Sequence, residues 1–255
     1  MSRDQLDLFL RVLKGSPPGA VFNPWWEVDN ENDVGGNAPG IRRKQLRAYL
    51  RERLGKSKLA IIGEALGYRG GHFTGIPMTS ERLLLGNQKA AVAALCLPRR
   101  SCAKAGERRN LHGDGGHRPP LQIISRIKPR RTSKPETSLH GFSEPTATIV
   151  WGALLKLGLR PTEFVLWNAF PWHSFDRHRG LLSNRTPNKS EQAAGLSALR
   201  AFLELFRRDQ IVALGKIAAA QLDQLGVDTH RVRHPASGGA KLFRQQIAKI
   251  TKEVR

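Results

Sequence analysis

Leu59-Ala60-Ile61-Ile62-Gly63-Glu64-Ala65-Leu66-Gly67-Tyr68-Arg69-Gly70-Gly71-His72-Phe73-Thr74-Gly75 is an apolar run that breaks into a glycine-rich loop, and its reading decides the fold. An uninterrupted apolar run marks a strand buried on both faces, as in a parallel sheet. Ligands of open α/β sheets sit just beyond the carboxyl ends of such strands. The loop is therefore the expected site. Its glycines permit positive φ and close backbone approach to a flat ligand or a phosphate. The stretch has neither the Gly-Lys-Ser/Thr ending of a P-loop nor a G-x-G-x-x-G spacing.

Upstream, Leu6, Phe9, Leu10 and Leu13 share one helical face, which predicts a short amphipathic helix over residues 3–14. Residues 16–40 read as a Gly/Pro/Asn-rich loop whose Phe22, Trp25 and Trp26 either stack on bases or pin the loop to the core. A basic helix follows, Ile41 to Leu54, with Arg42, Arg43, Lys44, Arg47, Arg51 and Arg53 forming a solvated face or a phosphate-tracking one.

Downstream, Thr79 or Ser80 caps a helix with Glu81 in its first turn. The stretch 89–134 then carries twelve basic residues against two acidic ones and no sustained apolar period. It is expected to be a disordered, dispensable insertion. Its Arg, Pro, Gly, Ala and Cys bias also fits a stretch read in the wrong frame, which resequencing would test.

Ser143-Glu144-Pro145 starts a helix that ends at Gly158, and Phe164-Val165-Leu166-Trp167 is a buried strand ending in Asn168. A helix over 190–206, a strand over Gln210–Leu214, a helix over 216–225, a strand around Thr229–Arg233 and a helix over 240–253 complete the pattern. Strands alternating with helices predict a three-layer α/β/α fold on a short, parallel, doubly wound four-stranded sheet. Residues 1–255 are expected to form one domain, since the length suits one well-buried core.

A formal charge of +21 and a pI near 11.1 favour an anionic partner, nucleic acid before membrane. No apolar run is long enough to span a bilayer, and the first residues lack a signal peptide's pattern. A cytosolic, nucleoid-associated location and a monomer are expected. Cys96 and Cys102 are too few for a disulfide framework, and their spacing to His112 and His117 does not fit a zinc finger.

The Gly-Glu-Ala-x-Gly loop, Phe73-Thr74-Gly75, the strand-end Asn168, Val212-Ala213-Leu214-Gly215 and His234-Pro235 occur in an order that resembles the uracil-DNA glycosylase superfamily. The resemblance covers residues 58–85 and 143–250. It implies hydrolysis of the N-glycosidic bond of a base flipped out of DNA, without a cofactor. Phe73 would stack on the base, and the Asn168 amide would read a uracil edge and reject cytosine. His234 would donate to O2 as negative charge grows there, helped by backbone N–H groups of Gly63–Ala65. Ser237, Gly238, Lys241 and Arg244 would meet DNA.

Four positions depart from the best-known branch. Ala65 replaces a water-positioning aspartate, which leaves Glu64 as the nearest carboxylate, and Leu66 replaces a proline. Gly67 replaces a tyrosine that crowds the C5 position of the base, so larger 5-substituted pyrimidines are expected to fit. Gly238 stands where that branch inserts an apolar wedge, which leaves the role unassigned, with Lys241, Leu242 and Arg244 as nearby candidates. The departures keep a non-catalytic nucleic-acid-binding module as the alternative, with a nucleotide-processing enzyme as a third class.

Overall fold

A computed structural model of the chain describes residues 3–87, 122–207 and 209–253. Its elements are α1 (Arg3–Val12), β1 (Val21–Phe22), α2 (Ala38–Arg53), β2 (Leu59–Ala65), α3 (Gly71–Thr74), α4 (Glu81–Leu84) and α5 (Pro145–Lys156), followed by β3 (Phe164–Phe170), β4 (His173–Ser174), α6 (Lys189–Leu205), β5 (Gln210–Leu214), α7 (Lys216–Gln224), β6 (His230–Val232) and α8 (Ala240–Glu253). The strands β3-β2-β5-β6 form one parallel sheet flanked by helices, the expected architecture. None of the described helices is long and apolar enough to cross a membrane.

The central strand β2 and its neighbour β3 have apolar residues on both faces, and Leu59 to Ile62 and Phe164 to Trp167 are 0% exposed. The chain runs from β2 to β3 on one side and later from β5 to β6 on the other. The crevice of such a sheet therefore opens beyond the carboxyl ends of β2 and β5. Trp167 stacks on Phe202 of α6 at 4.9 Å and meets Phe9 of α1 edge-on at 5.2 Å, which anchors those helices to one face. By alternation, Asn168 faces the other side.

Two expectations change, for residues 21–22 and for two of the arginines, and for two of the aromatics one of the open readings holds. Residues 21–22 are not loop; they pair antiparallel with 173–174. Phe22 and Trp25 are buried, and Trp25 Nε1 donates to Gly75 O at 3.1 Å, so these two rings are core rather than base platforms. Arg42 and Arg53 are also buried, neither solvated nor free for phosphate. Arg42 forms a bidentate pair with Asp33, at 2.7 and 3.0 Å. Arg53 donates to the carbonyls of Tyr49, Ile123, Pro161 and Phe164.

The expected disordered, dispensable stretch is corrected for residues 122–134; residues 88–121, with Cys96, Cys102, His112 and His117, lie outside the described residues. Ile123 and Ile124 are buried in the core. The backbone N–H groups of Ser125 and Arg126 bind the Glu52 carboxylate, that of Arg130 binds Gln45 Oε1, and those of Thr132 and Ser133 bind the Glu81 carboxylate. The segment lacks an apolar period because buried side-chain acceptors and a single antiparallel bridge between Ser133 and Asp33, rather than a full strand or a helix, satisfy its backbone.

Candidate active site

The glycine-rich loop is shaped by close packing as much as by chain freedom. Gly75 has φ +71°, and a Cβ there would fall 2.7 Å from Arg42 O; at Gly71 it would fall 2.1 Å from Leu66 Cδ2. Leu66 is thus a buried lid over Gly71. Gln45 Nε2 donates to Thr74 O at 2.9 Å, and Thr132 Oγ1 to Phe73 O at 2.6 Å. The short α3 is held from two sides, and with it Phe73.

Gly63 pairs with Asn168 across the β2–β3 ladder. A Cβ at 63 would fall 2.7 Å from Asn168 Oδ1 and 3.4 Å from Met78 Cε, so the amide lies against a bare backbone. Asn168 sits inside β3, two residues before its end, rather than at its terminus. It is 1% exposed, and neither Oδ1 nor Nδ2 has a hydrogen-bond partner among the described residues. Few buried polar groups are left that way.

Phe73 is fully buried, and Phe142 lies parallel to it, with centroids 4.7 Å apart and planes 3° apart. Tyr68 meets Phe142 edge-on.

His234 follows β6, beside Gly215 at the end of β5. Its Nδ1 accepts the N–H of Ala236 at 3.1 Å, which places the proton of the neutral ring on Nε2. Burial and the neighbouring Arg233 charge hold its pKa below the ordinary value, favouring that neutral form. Ser237 and Gly238 both have positive φ, +50° and +76°, and a Cβ at Gly239 would strike His234 O. This turn exposes Ser237 and Gly238, with Lys241, Leu242 and Arg244 exposed on the first turns of α8.

Glu64 is not brought to the amide. By alternation it leaves β2 on the face opposite Gly63, and it hydrogen-bonds Thr186, although burial raises its pKa. Ala65 lies in register with Phe170.

The carboxyl against the loop belongs to Glu144, which the sequence marked only as a helix start. It stands at the N-cap of α5 with no side-chain cap bond, and its Oε2 is enclosed and has no hydrogen-bond partner among the described residues, while the residue keeps part of its surface in solvent. A Cβ at Gly70 would overlap Oε2, and one at Gly67 would come 3.2 Å from Oε1. The side of Gly67 expected to be open is therefore faced by a carboxyl, with Asn184 beside it. Burial pushes the Glu144 pKa up to about 7.

No protein of curated function matches the chain in sequence. Among solved structures, that of wild-type SMUG2 from Pedobacter heparinus aligns with a TM-score of 0.56 over 98% of this chain and 97% of that one, at 14% identity, a likeness of fold. The profile of the uracil DNA glycosylase superfamily matches residues 53–252. The chain belongs to the uracil DNA glycosylase superfamily.

Proposed function

We propose that the chain removes uracil from DNA by hydrolysing its N-glycosidic bond. The observation that carries this reading is Asn168, a buried amide with both polar atoms unpartnered. Each such group costs about 1–3 kcal/mol, and a ligand edge with one donor and one acceptor would relieve both. The N3–H and O4 of uracil form that edge. Phe73 would take the base in the parallel stacking that Phe142 now makes on it.

As the bond from C1′ to N1 breaks, its electron pair leaves with the base and charge collects on O2. The Nε2–H of a neutral His234 would stabilise that charge, with backbone N–H groups of Gly63–Ala65. Water then adds to C1′ and gives up a proton. We assign its acceptance to Glu144 rather than Glu64, since Glu144 has a free oxygen beside the loop and a pKa near the working range. Ser237, Gly238, Lys241 and Arg244 would grip the DNA backbone, and Leu242, apolar and exposed, would fill the vacated stack.

Ala65, with no carboxyl at the third loop position, favours the second reading, a binder that kept the fold. Single- and double-stranded oligonucleotides carrying uracil decide between them. Alkali-labile abasic sites are expected. Folded protein that binds these oligonucleotides and leaves none would establish the binder.

A further inference from the structure

Behind Phe73 lies a buried chain of groups that the proposed reaction does not use. Asp29 Oδ2 is 3.1 Å from His72 Nε2, His72 Nδ1 is 3.0 Å from His173 Nδ1, and His173 Nε2 is 2.7 Å from Ser183 O. Asp29, His72 and His173 are all 0% exposed. The three junctions can be counted in protons.

Both ends of the chain accept. Ser183 offers a backbone carbonyl, which only accepts. Asp29 takes N–H bonds from Glu31 and from the backbone and amide of Asn32. Burial works against its charge, but the bonds from His72 and Asn32 outweigh burial and hold its pKa below the usual value. Three junctions between acceptor ends need three hydrogens, whereas two neutral imidazoles carry two. A junction without one would set lone pairs against each other with no water to separate them.

The acceptor ends fix where the hydrogens go. His173 donates from Nε2 to Ser183 O and accepts at Nδ1; His72 donates from Nδ1 to His173 and from Nε2 to Asp29. His72 is then an imidazolium and His173 is neutral. Burial and the His72 charge push the pKa of His173 down to about 3, in keeping with that assignment. Burial, the largest effect, and the Arg42 charge hold the pKa of His72 below its ordinary value, against the bond to Asp29 and the charges of Asp29 and Asp33, which favour the second proton. The junction count decides in favour of the proton. Phe22 stacks on the His72 ring at 4.3 Å, a face that attracts a cation.

We propose that His72 holds this second proton at neutral pH and is a positioning residue, strapping Phe73 and the glycine-rich loop to Asp29 on one side and His173 on the other. His72 adjoins Phe73 in sequence, with ring centroids 4.4 Å apart. His173 also bonds Asn184, whose Oδ1 accepts the N–H of Tyr68 in the same loop. The positioning role rests on the reading of Phe73 as the base platform. Loss of the proton as pH rises leaves one junction empty and loosens the loop.

Imidazole ¹⁵N NMR of the full chain tests the count. Both His72 nitrogens should appear protonated at pH 7, and His173 should show one protonated and one bare nitrogen; a bare nitrogen on His72 overturns the proposal. Asp29→Asn keeps an acceptor oxygen and removes the charge, so His72 should lose its proton at lower pH, with the Phe73 ring shifts moving at the same midpoint. Phe73 shifts that ignore the His72 titration overturn the positioning role. In a cleaving enzyme the same titration should raise KM for uracil-containing DNA about tenfold and change kcat little. A KM that stays flat through that midpoint also overturns the positioning role. Absence of cleavage would count against the proposed function alone, and the two NMR readouts would still decide this inference.

Discussion

Gly63 and Asn168 are paired so closely that a single methyl on Gly63 would stand 2.7 Å from the Asn168 amide oxygen. Gly63→Ala must therefore turn the amide, while the other near neighbour, Met78, has a flexible end that can yield. Uracil excision should fall roughly a hundredfold, the cost of displacing a recognition group by about 1 Å, with little change in melting temperature. Wild-type excision by a folded Gly63→Ala protein would remove Asn168 from the recognition role.

Asn168→Ala separates function from stability. The amide is buried without partners, so its removal relieves a desolvation cost of about 1–3 kcal/mol per polar group and offsets the small cavity left behind. Urea unfolding should show a variant about as stable as wild type, with excision almost abolished. A large loss of stability would mean that the amide has partners in solution and is structural.

His234→Ala should slow single-turnover cleavage by two to three powers of ten and leave DNA affinity nearly intact, as expected for one donor to a developing anion. Its Nδ1 is occupied by Ala236 N–H, so only Nε2 is left to act. Weakened binding with unchanged cleavage would make it a phosphate contact instead.

The sheet was legible because Leu59–Ile62, Phe164–Trp167 and Ile211–Leu214 are runs that are apolar on both faces. The β1–β4 ribbon was not, since two-residue strands carry no period. Arg42 reads as one more exposed cation until the fold brings Asp33 onto it, nine residues away. Glycines and expected strand ends pointed to Gly63, Asn168 and His234 as candidates, although Asn168 lies inside β3. The roles proposed for Glu144, His72 and His173 rest on burial and on neighbours distant in sequence, and neither property is written in a local pattern.

Residues 122–134 are load-carrying for the same reason that they looked disordered. The Glu81 carboxylate accepts from the N–H groups of Thr132 and Ser133 and from Ser133 Oγ, and Phe142 N–H adds a longer bond at 3.3 Å. Glu81→Ala orphans these buried donors and should cost upwards of about 3 kcal/mol in urea unfolding. A change under about 1 kcal/mol would mean that the segment is only loosely attached.

Glu144 makes a prediction in which activity and stability move oppositely with pH. Its pKa near 7 in the folded chain stands above the 4.5 of a free glutamate because burial disfavours the charge. A base must be unprotonated, so kcat/KM should rise with pH through about 7 and fall tenfold per unit below it. The folded state binds this proton more tightly than the unfolded state does. Stability should therefore decline as pH rises from about 4.5 to 7 and level off above, by up to roughly 3 kcal/mol. Glu144→Gln, which cannot ionise, should be more stable than wild type at pH 8, flat over this window, and slower by two to four powers of ten. Were the variant to keep both the wild-type rate and its pH profile, water would have to reach C1′ without a carboxylate, and the enclosed Glu144 would be a spacer beside Gly67 and Gly70.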